Sequence, residues 1–428
     1  MPFLCSRALR ACLIHAVLCI AFVAQAQPVE FPVGELTLAE AIAAALARNP
    51  ELRVGEFELR ASAGRIQQSR LRPNPELAFE LENFAGSGVT SGSDVLETTL
   101  TLSQVVELGA KRDARQQVAS HGREVLIVQR RIRQLDVLTE VTRRYLEVVL
   151  AQERLALSQT ALDLADQTHA VMLRRVKAAR SPRAEQIRTA ITRTRSRLAL
   201  ERSRQVLDAS RVQLAATWGA DQARFTTAVA DLYALPAMDA VDTLASRLLH
   251  VPDFRYYVAE QRLRESELEL ARAQARPNLK LAAGIRRLEA TDDTALVAGL
   301  SLPVPLLDRR QGRRAESRSR IAKVRAERSA ALVKARSTLS SLHGELRVVR
   351  AEVKVLRGEL LPQTQDALDQ IRSGFERGRF SYLELASAQQ DVLDTERAAI
   401  SAAGTAHRLH TEIERLTGGP LTAATPTR

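Results

Sequence analysis

Leu96-Glu97-Thr98-Thr99-Leu100-Thr101-Leu102-Ser103 alternates apolar and polar residues, and a helical pattern follows from about Asp113 to Ala179 with no proline between Pro75 and Pro182. Alternation with a period of two is the signature of a strand with one apolar face. Sixty-odd helical residues at about 1.5 Å each make a rod of roughly 100 Å, a length for which a globular core has little use. A strand feeding such a rod is the unit on which the rest of the chain is organised.

The strand has a partner upstream. Leu77, Phe79 and Leu81 alternate with Ala78, Glu80 and Glu82, and the Gly-, Ser- and Thr-rich stretch from Gly86 to Ser93 makes the turn. A second hairpin has the same grammar. Leu279, Leu281, Ala283 and Ile285 alternate with Lys280, Ala282, Gly284 and Arg286; Asp292-Asp293 lies in the turn, and Leu296, Ala298, Leu300 and Leu302 follow. Other landmarks recur about 200 residues apart and in the same order. Asn49-Pro50-Glu51-Leu52 leads to Leu71-Arg72-Pro73-Asn74, and Val251-Pro252-Asp253-Phe254 leads to Ala275-Arg276-Pro277-Asn278. Glu185 and Gly219 match Glu384 and Gly418. The chain is a duplication. The first structural repeat spans 36–235, with its hairpin at about 75–104 and a long helical hairpin at about 111–218. The second spans 236–419, with hairpins at about 277–304 and 310–417. Residues 420–428 are read as a disordered tail.

Each repeat opens with a helix. Thr37-Leu38-Ala39-Glu40 is a capping box, and the helix runs through Ala41, Ile42 and Leu46 until Asn49-Pro50 interrupts it. On the rods, Leu150, Leu157, Leu164 and Val171 recur every seven residues, as do Leu200, Leu207 and Leu214, and Leu385, Val392, Ala399, Ala406 and Ile413. A seven-residue apolar repeat demands a facing helix.

Composition excludes several classes. Apolar residues make up 45% of the 428, enough for a core, whereas aromatics are only 4%, which suits long Ala-, Leu- and Arg-rich helices. No run of 18 apolar residues lies beyond the N-terminus, which excludes a bundle of membrane-spanning helices. Arg7 and Arg10, the apolar stretch Ala11 to Ala24 and the site Ala24-Gln25-Ala26 predict a secretory signal peptide over 1–26. Cys5, Cys12 and Cys19 all fall inside it, so the mature chain forms no disulfide. Leu18 before Cys19 is not the small residue that lipoprotein processing prefers. The net charge is +12, yet an exported chain is not expected to meet nucleic acid.

Four strands do not close a barrel, and an exported sheet with one apolar face must bury it or meet lipid. Two copies give eight strands, which side chains or one small ligand fill; three give twelve, enough for an open lumen. On this reading Leu77, Phe79, Leu81, Leu100, Leu102, Leu281, Ile285 and Leu300 face lipid. Periodicity alone leaves a soluble periplasmic coiled-coil scaffold open as the reading of another class.

Leu36-x-Leu38-x-x-Ala41-x-x-x-Ala45 with Asn49-Pro50-Glu51-Leu52, the doubled Arg-Pro-Asn, Pro303-Val304-Pro305-Leu306-Leu307-Asp308-Arg309-x-Gln311-Gly312 and Gly378-Arg379-Phe380-Ser381-Tyr382-Leu383-Glu384 resemble the TolC-type outer-membrane efflux proteins over about 36–419. The details resemble the heavy-metal cation branch most. The resemblance implies a mainly α fold with a small β-barrel contribution: a homotrimer with a 12-stranded barrel in the outer membrane and an α-helical tunnel in the periplasm. It implies an exit duct served by a periplasmic adaptor protein and an inner-membrane pump of the resistance-nodulation-division class. Channels for drugs or for type I polypeptide secretion are the same-class alternatives. It further implies that Arg180, Ser181 and Pro182 in one tip turn, and Gly378, Arg379, Phe380 and Ser381 in the other, dock the adaptor. The family often narrows its entrance with acidic residues; here Arg174, Arg175, Lys177, Arg180, Arg183, Arg372, Arg377 and Arg379 surround the turns.

No cofactor and no catalytic constellation is readable. His407, His410 and Glu414 stand at i, i+3 and i+7 on one helix side, a spacing compatible with a metal ion, although solvated or structural roles fit it better. Gly109-Ala110-Lys111-Arg112 lacks the phosphate-loop pattern and is read as a strand-to-helix corner. Trp218 is read as a packing residue at a helix end.

Overall fold

The computed structural model describes residues 31–419. The expected signal peptide and the tail at 420–428 lie outside the described residues. In chain order the elements are β1 (Gly34–Leu36), α1 (Leu38–Arg48), α2 (Pro50–Ser69), β2 (Glu76–Glu82), β3 (Glu97–Val106), α3 (Lys111–Lys177), α4 (Arg183–Ala216), β4 (Phe225–Ala228), α5 (Val241–Arg247), α6 (Pro252–Ala273), β5 (Leu279–Leu288), β6 (Asp293–Ser301), α7 (Gln311–Val355), α8 (Leu361–Glu376) and α9 (Tyr382–Thr417).

Local chemistry sets the boundaries. Thr37 Oγ1 accepts from Glu40 N at 3.3 Å, and the Glu40 carboxylate accepts from Thr37 N at 2.8 Å, so α1 starts on a full capping box. These bonds hold the Glu40 carboxyl below its ordinary range. Asn49 Oδ1 accepts from Glu51 N at 2.9 Å and Leu52 N at 3.2 Å, while its Nδ2 donates to Thr217 O at 2.7 Å. One side chain thus starts α2 and ties it to the end of α4. Pro50 at the first helical position needs no N–H partner. Between Val106 and Lys111 the chain turns through Gly109 (φ 80°) and Ala110 (φ 57°), the corner read at Gly109–Arg112. Trp218 is buried at the α4 end, edge-on to Phe225 with ring centroids 6.2 Å apart.

The 67-residue α3 is the spine. It packs against α4, α6, α2 and α9. Leu150 and Leu157 are buried, and Leu164 and Val171 are half-buried; Leu200, Leu207 and Leu214 are buried on α4, and Leu385, Val392, Ala399, Ala406 and Ile413 on α9. At Gly404 an added Cβ would lie 2.7 Å from Leu150 Cδ2, so glycine lets α9 approach α3 closely.

Strands β2-β3-β5-β6 form one antiparallel sheet in that order, with β2 and β6 at its edges. Directly opposed residues share a face. Leu77 stands opposite Leu102, Phe79 opposite Leu100, Leu100 opposite Ile285 and Leu281 opposite Leu300, so Leu77, Phe79, Leu81, Leu100, Leu102, Leu281, Ile285 and Leu300 form a single apolar face. All eight are exposed in the single chain, Leu77 and Leu300 at 70%.

Two features depart from the sequence reading. Six strands, not four, occur among the described residues, because β1 and β4 pair in parallel as a separate two-stranded sheet. At three and four residues they are too short to show alternation. The second helical hairpin is also not two plain rods. Its first arm carries a π-helical segment at Leu356–Leu360, between α7 and α8. Pro362 lacks an N–H and its ring crowds the carbonyl four residues back, at Gly358, which loosens the ladder there.

Candidate functional site

The sheet has a second face. Glu76, Glu80 and Glu82 of β2, Glu97 of β3, and Lys280 and Arg286 of β5 lie opposite the apolar side. Lys280 Nζ meets Glu76 at 2.8 Å, and Arg286 meets Glu97 at 2.8 Å and Glu82 at 3.1 Å. A sheet with one bare apolar face, one ionic face and two open edges has the make-up expected of a wall between hydrocarbon and water.

The tip turns close the opposite end of the rods. Both have one geometry: Arg180 N donates to Arg175 O, and Arg379 N donates to Gly374 O, each at 2.8 Å. The left-handed position is Ala179 (φ 56°) in one and Gly378 (φ 79°) in the other. Their exits differ. Ser381 caps α9 with a capping box to Glu384, whereas Pro182 precedes α4 without a side-chain cap. Arg180, Pro182, Gly378, Arg379, Phe380 and Ser381 are exposed and Ser181 is half-buried. Arg175 joins the two turns. Its Nη1 donates to Phe375 O at 2.7 Å, its Nε donates to Ser181 Oγ at 3.2 Å, and its guanidinium lies 4.6 Å from the Phe375 ring centroid. The sequence places Arg175 in the basic set but carries no signal that it spans the two repeats. Met172, Leu361, Leu368, Phe375, Leu385, Ala388 and Val392 form the core behind the turns.

A left-handed alanine costs about 1 kcal/mol relative to glycine. Ala179→Gly is therefore expected to stabilise the first tip by a few tenths to about 1 kcal/mol, less the entropy that glycine adds to the unfolded chain. Slower protease cleavage between Lys177 and Arg183 checks this.

Midway along the rods, β1 and β4 with the segment after them form a collar on α3. Gln152 Nε2 donates to Ala228 O at 2.9 Å and its Oε1 accepts from Ala228 N at 2.8 Å. Tyr145, 2% exposed, sets its Oη 2.7 Å from Val229 O and 3.0 Å from Leu36 O. Burial pushes its hydroxyl up to about 12. A buried phenol that stays neutral stabilises the fold below the unfolded-state value near 10 and loses that contribution as pH rises toward the folded value. Stability is therefore expected to fall between about pH 10 and 12 in the wild type, and less steeply in Tyr145→Phe, by about 2 kcal/mol at most. Thermal melts across that range check it.

Away from the collar, α3 carries a cleft of about 770 Å³ bordered by α4 and α9. Arg143 meets Glu140 at 2.9 Å and Glu412 at 2.7 Å. Arg144 meets Glu140 at 2.7 Å and Glu147 at 3.0 Å. Arg415 meets Asp136 at 2.7 Å and Asp253 at 2.9 Å.

On α9 the residues of the histidine stripe take partners within the protein. His407 is buried and its Nε2 lies 2.8 Å from Leu232 O, so the ring pins the inter-repeat segment. Burial holds its pKa below the ordinary histidine value. His410 Nε2 stands 3.3 Å from Glu414. Among the described residues no group of three His, Cys, Asp or Glu side chains is placed to hold a metal ion.

Sheet, rods and tips together define a duct-wall subunit, mainly helical, with two strand hairpins and two long helical hairpins. The chain belongs to the outer membrane efflux protein family, whose description matches residues 41–220 and 244–419. It is 28% identical over 385 residues to the cobalt-zinc-cadmium resistance protein CzcC of Cupriavidus metallidurans, covering 90% of each chain. Its fold is that of a membrane protein from Pseudomonas aeruginosa (TM-score 0.76, 18% identity, 89% of this chain and 92% of that one). It is also that of CusC, described for its folding and transmembrane channel formation (TM-score 0.74, 15% identity, 92% and 96%). The protein is an outer-membrane efflux channel component whose helical part extends into the periplasm.

Proposed function

We propose that three copies of this chain form the exit duct of a tripartite efflux system that exports heavy-metal cations. The observation that carries the cargo is the end-to-end match to a cobalt-zinc-cadmium resistance protein, 90% of both chains. The trimer rests on arithmetic: a four-stranded sheet with two open edges needs partners, and three copies give twelve strands around a lumen. Repeats 36–235 and 236–419 then supply two hairpins each to the shared wall. A periplasmic adaptor docks at the tip turns, at Arg180, Ser181, Pro182, Gly378, Arg379, Phe380 and Ser381. An inner-membrane resistance-nodulation-division pump supplies the energy, and the chain itself performs no catalysis. Eight exposed apolar side chains on one sheet face support lipid contact over a soluble scaffold.

Deleting the gene is expected to sensitise the host to cobalt, zinc or cadmium by several-fold in growth inhibition, and the wild-type gene restores growth. Unchanged metal tolerance with new sensitivity to drugs, or with loss of a secreted polypeptide, would transfer the cargo to those substrates.

A further inference from the structure

We propose that the corner after β6, from Leu302 to Arg313, is an anchor for anionic phospholipid at the periplasmic rim of the sheet; this rests on the lipid contact proposed above for the apolar face. The first observation is place. The segment leaves β6, whose Leu296 and Leu300 lie on that face, and enters α7. The helical part extends into the periplasm, so this corner stands where hydrocarbon gives way to headgroups. Leu302, Val304, Leu306 and Leu307 continue the exposed apolar surface there, Leu306 at 71% and Leu307 at 90%. Pro303 and Pro305 carry no N–H, and Leu306 N donates to Val304 O at 2.9 Å. The segment is therefore a poor template for another strand.

The second observation is charge. Asp308 Oδ1 accepts from Arg310 N at 2.7 Å, Gln311 Oε1 accepts from Arg309 N at 2.9 Å, and Gln311 Nε2 donates to Leu307 O at 3.3 Å. These bonds lock the corner, and the guanidiniums of Arg309 and Arg313 take no part in them. Both arginines are exposed, and among the described residues neither has a carboxylate within 4.0 Å. The acids on either side are engaged, Asp308 in the lock and Glu316 with Arg320 at 2.5 Å. The first repeat supplies the contrast. Its corner has the same left-handed position, Ala110 at φ 57° against Arg310 at φ 56°. There Glu107 and Asp113 stand where the second repeat has Leu307 and Arg313. Glu107 takes Arg115, and Asp113 meets Arg112 at 4.0 Å. The first corner is satisfied within the chain; the second replaces both acids with an apolar and a cationic side chain that have no partner in it. Apolar side chains beside cations are the make-up of an interfacial anchor. The guanidinium fork fits phosphate oxygens, and its stem reaches from hydrocarbon to headgroup. An anionic phospholipid meets both requirements at once, whereas free phosphate leaves the leucines in water and a zwitterionic lipid brings its own cation.

The test uses the full-length protein in mixed micelles holding equal parts of phosphatidylglycerol and phosphatidylcholine, with the lipid retained after detergent washing read by mass spectrometry. The wild type is expected to retain phosphatidylglycerol in preference, and to lose that preference as salt is raised. One arginine at an anionic surface contributes about a fivefold preference. Arg309→Gln with Arg313→Gln is therefore expected to cut the retained ratio by roughly tenfold or more, while Arg309→Lys with Arg313→Lys keeps most of it. Arg313→Asp places the first repeat's residue at the same corner, which folds with it, and is expected to cut the ratio by more than about fivefold. It decides the matter if the glutamine pair fails to assemble. A preference moved by neither the glutamine pair nor Arg313→Asp overturns the assignment and leaves the sheet's lipid contact standing. Variants whose copies separate equally in both lipids make the segment a contact between copies, which overturns the assignment too. A wild type that retains no lipid overturns the lipid-facing sheet itself.

Discussion

Leu77→Arg or Leu81→Arg is expected to abolish the outer-membrane trimer, whereas Glu80→Ala is expected to leave it intact. The two leucines lie on the apolar face of β2, opposite Leu102 and Thr98, and Glu80 lies on the ionic face. An arginine at the lipid face of a barrel costs about 2–4 kcal/mol near the midplane and less toward the interfaces. A trimer repeats that cost three times, so one substitution removes roughly 6–12 kcal/mol at the midplane, about as much as a whole domain's stability. The Glu80 change removes a solvated carboxylate and exposes nothing to hydrocarbon. Heat-modifiable trimer in the outer-membrane fraction is the readout. Equal tolerance on the two faces contradicts the assignment of lipid and water sides.

Tyr145→Ala is expected to have the second largest effect, detaching the collar from α3. Deleting a buried aromatic costs about 3–5 kcal/mol. It also leaves Val229 O without its donor, whereas Leu36 O keeps the Val229 N–H, for about 1 kcal/mol more. Tyr145→Phe separates the two contributions, because it keeps the ring among Val141, Val148 and Leu36 and loses only the hydroxyl. The expected order of melting temperature is wild type, then Phe, then Ala. Cleavage within 225–235 should rise in the alanine variant before the rods unfold.

Much of the fold is legible in the residues because its devices are local or periodic. The capping box at Thr37–Glu40 needs only a spacing of three. The hairpins need alternation over six or more residues, and α3 needs an unbroken run without proline. Duplication then transfers each reading to the other half. What escaped depends on long-range placement. Strand β1 finds β4 across nearly two hundred residues and neither is long enough to declare itself. The π-helical segment had its cues in Gly358 and Pro362, but a proline within a helix also fits a simple kink.

The site was less legible than the fold, for the same reason. The spacing of His407, His410 and Glu414 fits a ligand stripe, but Leu232, 175 residues earlier in the chain, takes the His407 ring. Arg175 reads as one of the basic residues around the turns and Arg415 has no signal of its own; only packing shows that one bridges the tips and the other binds α3 and α6 to α9. The apolar strand residues were found because their grouping on one face follows from strand parity alone.

On the proposed assembly one chain makes a third of a wall. Subunit counting on the protein embedded in lipid nanodiscs, by mass and by imaging down the long axis, tests it most directly. Three chains around one continuous lumen, walled by twelve strands at the lipid end, is the result expected. A single chain that stands alone in the bilayer and conducts, or an assembly whose copy number leaves sheet edges open to lipid, would contradict it.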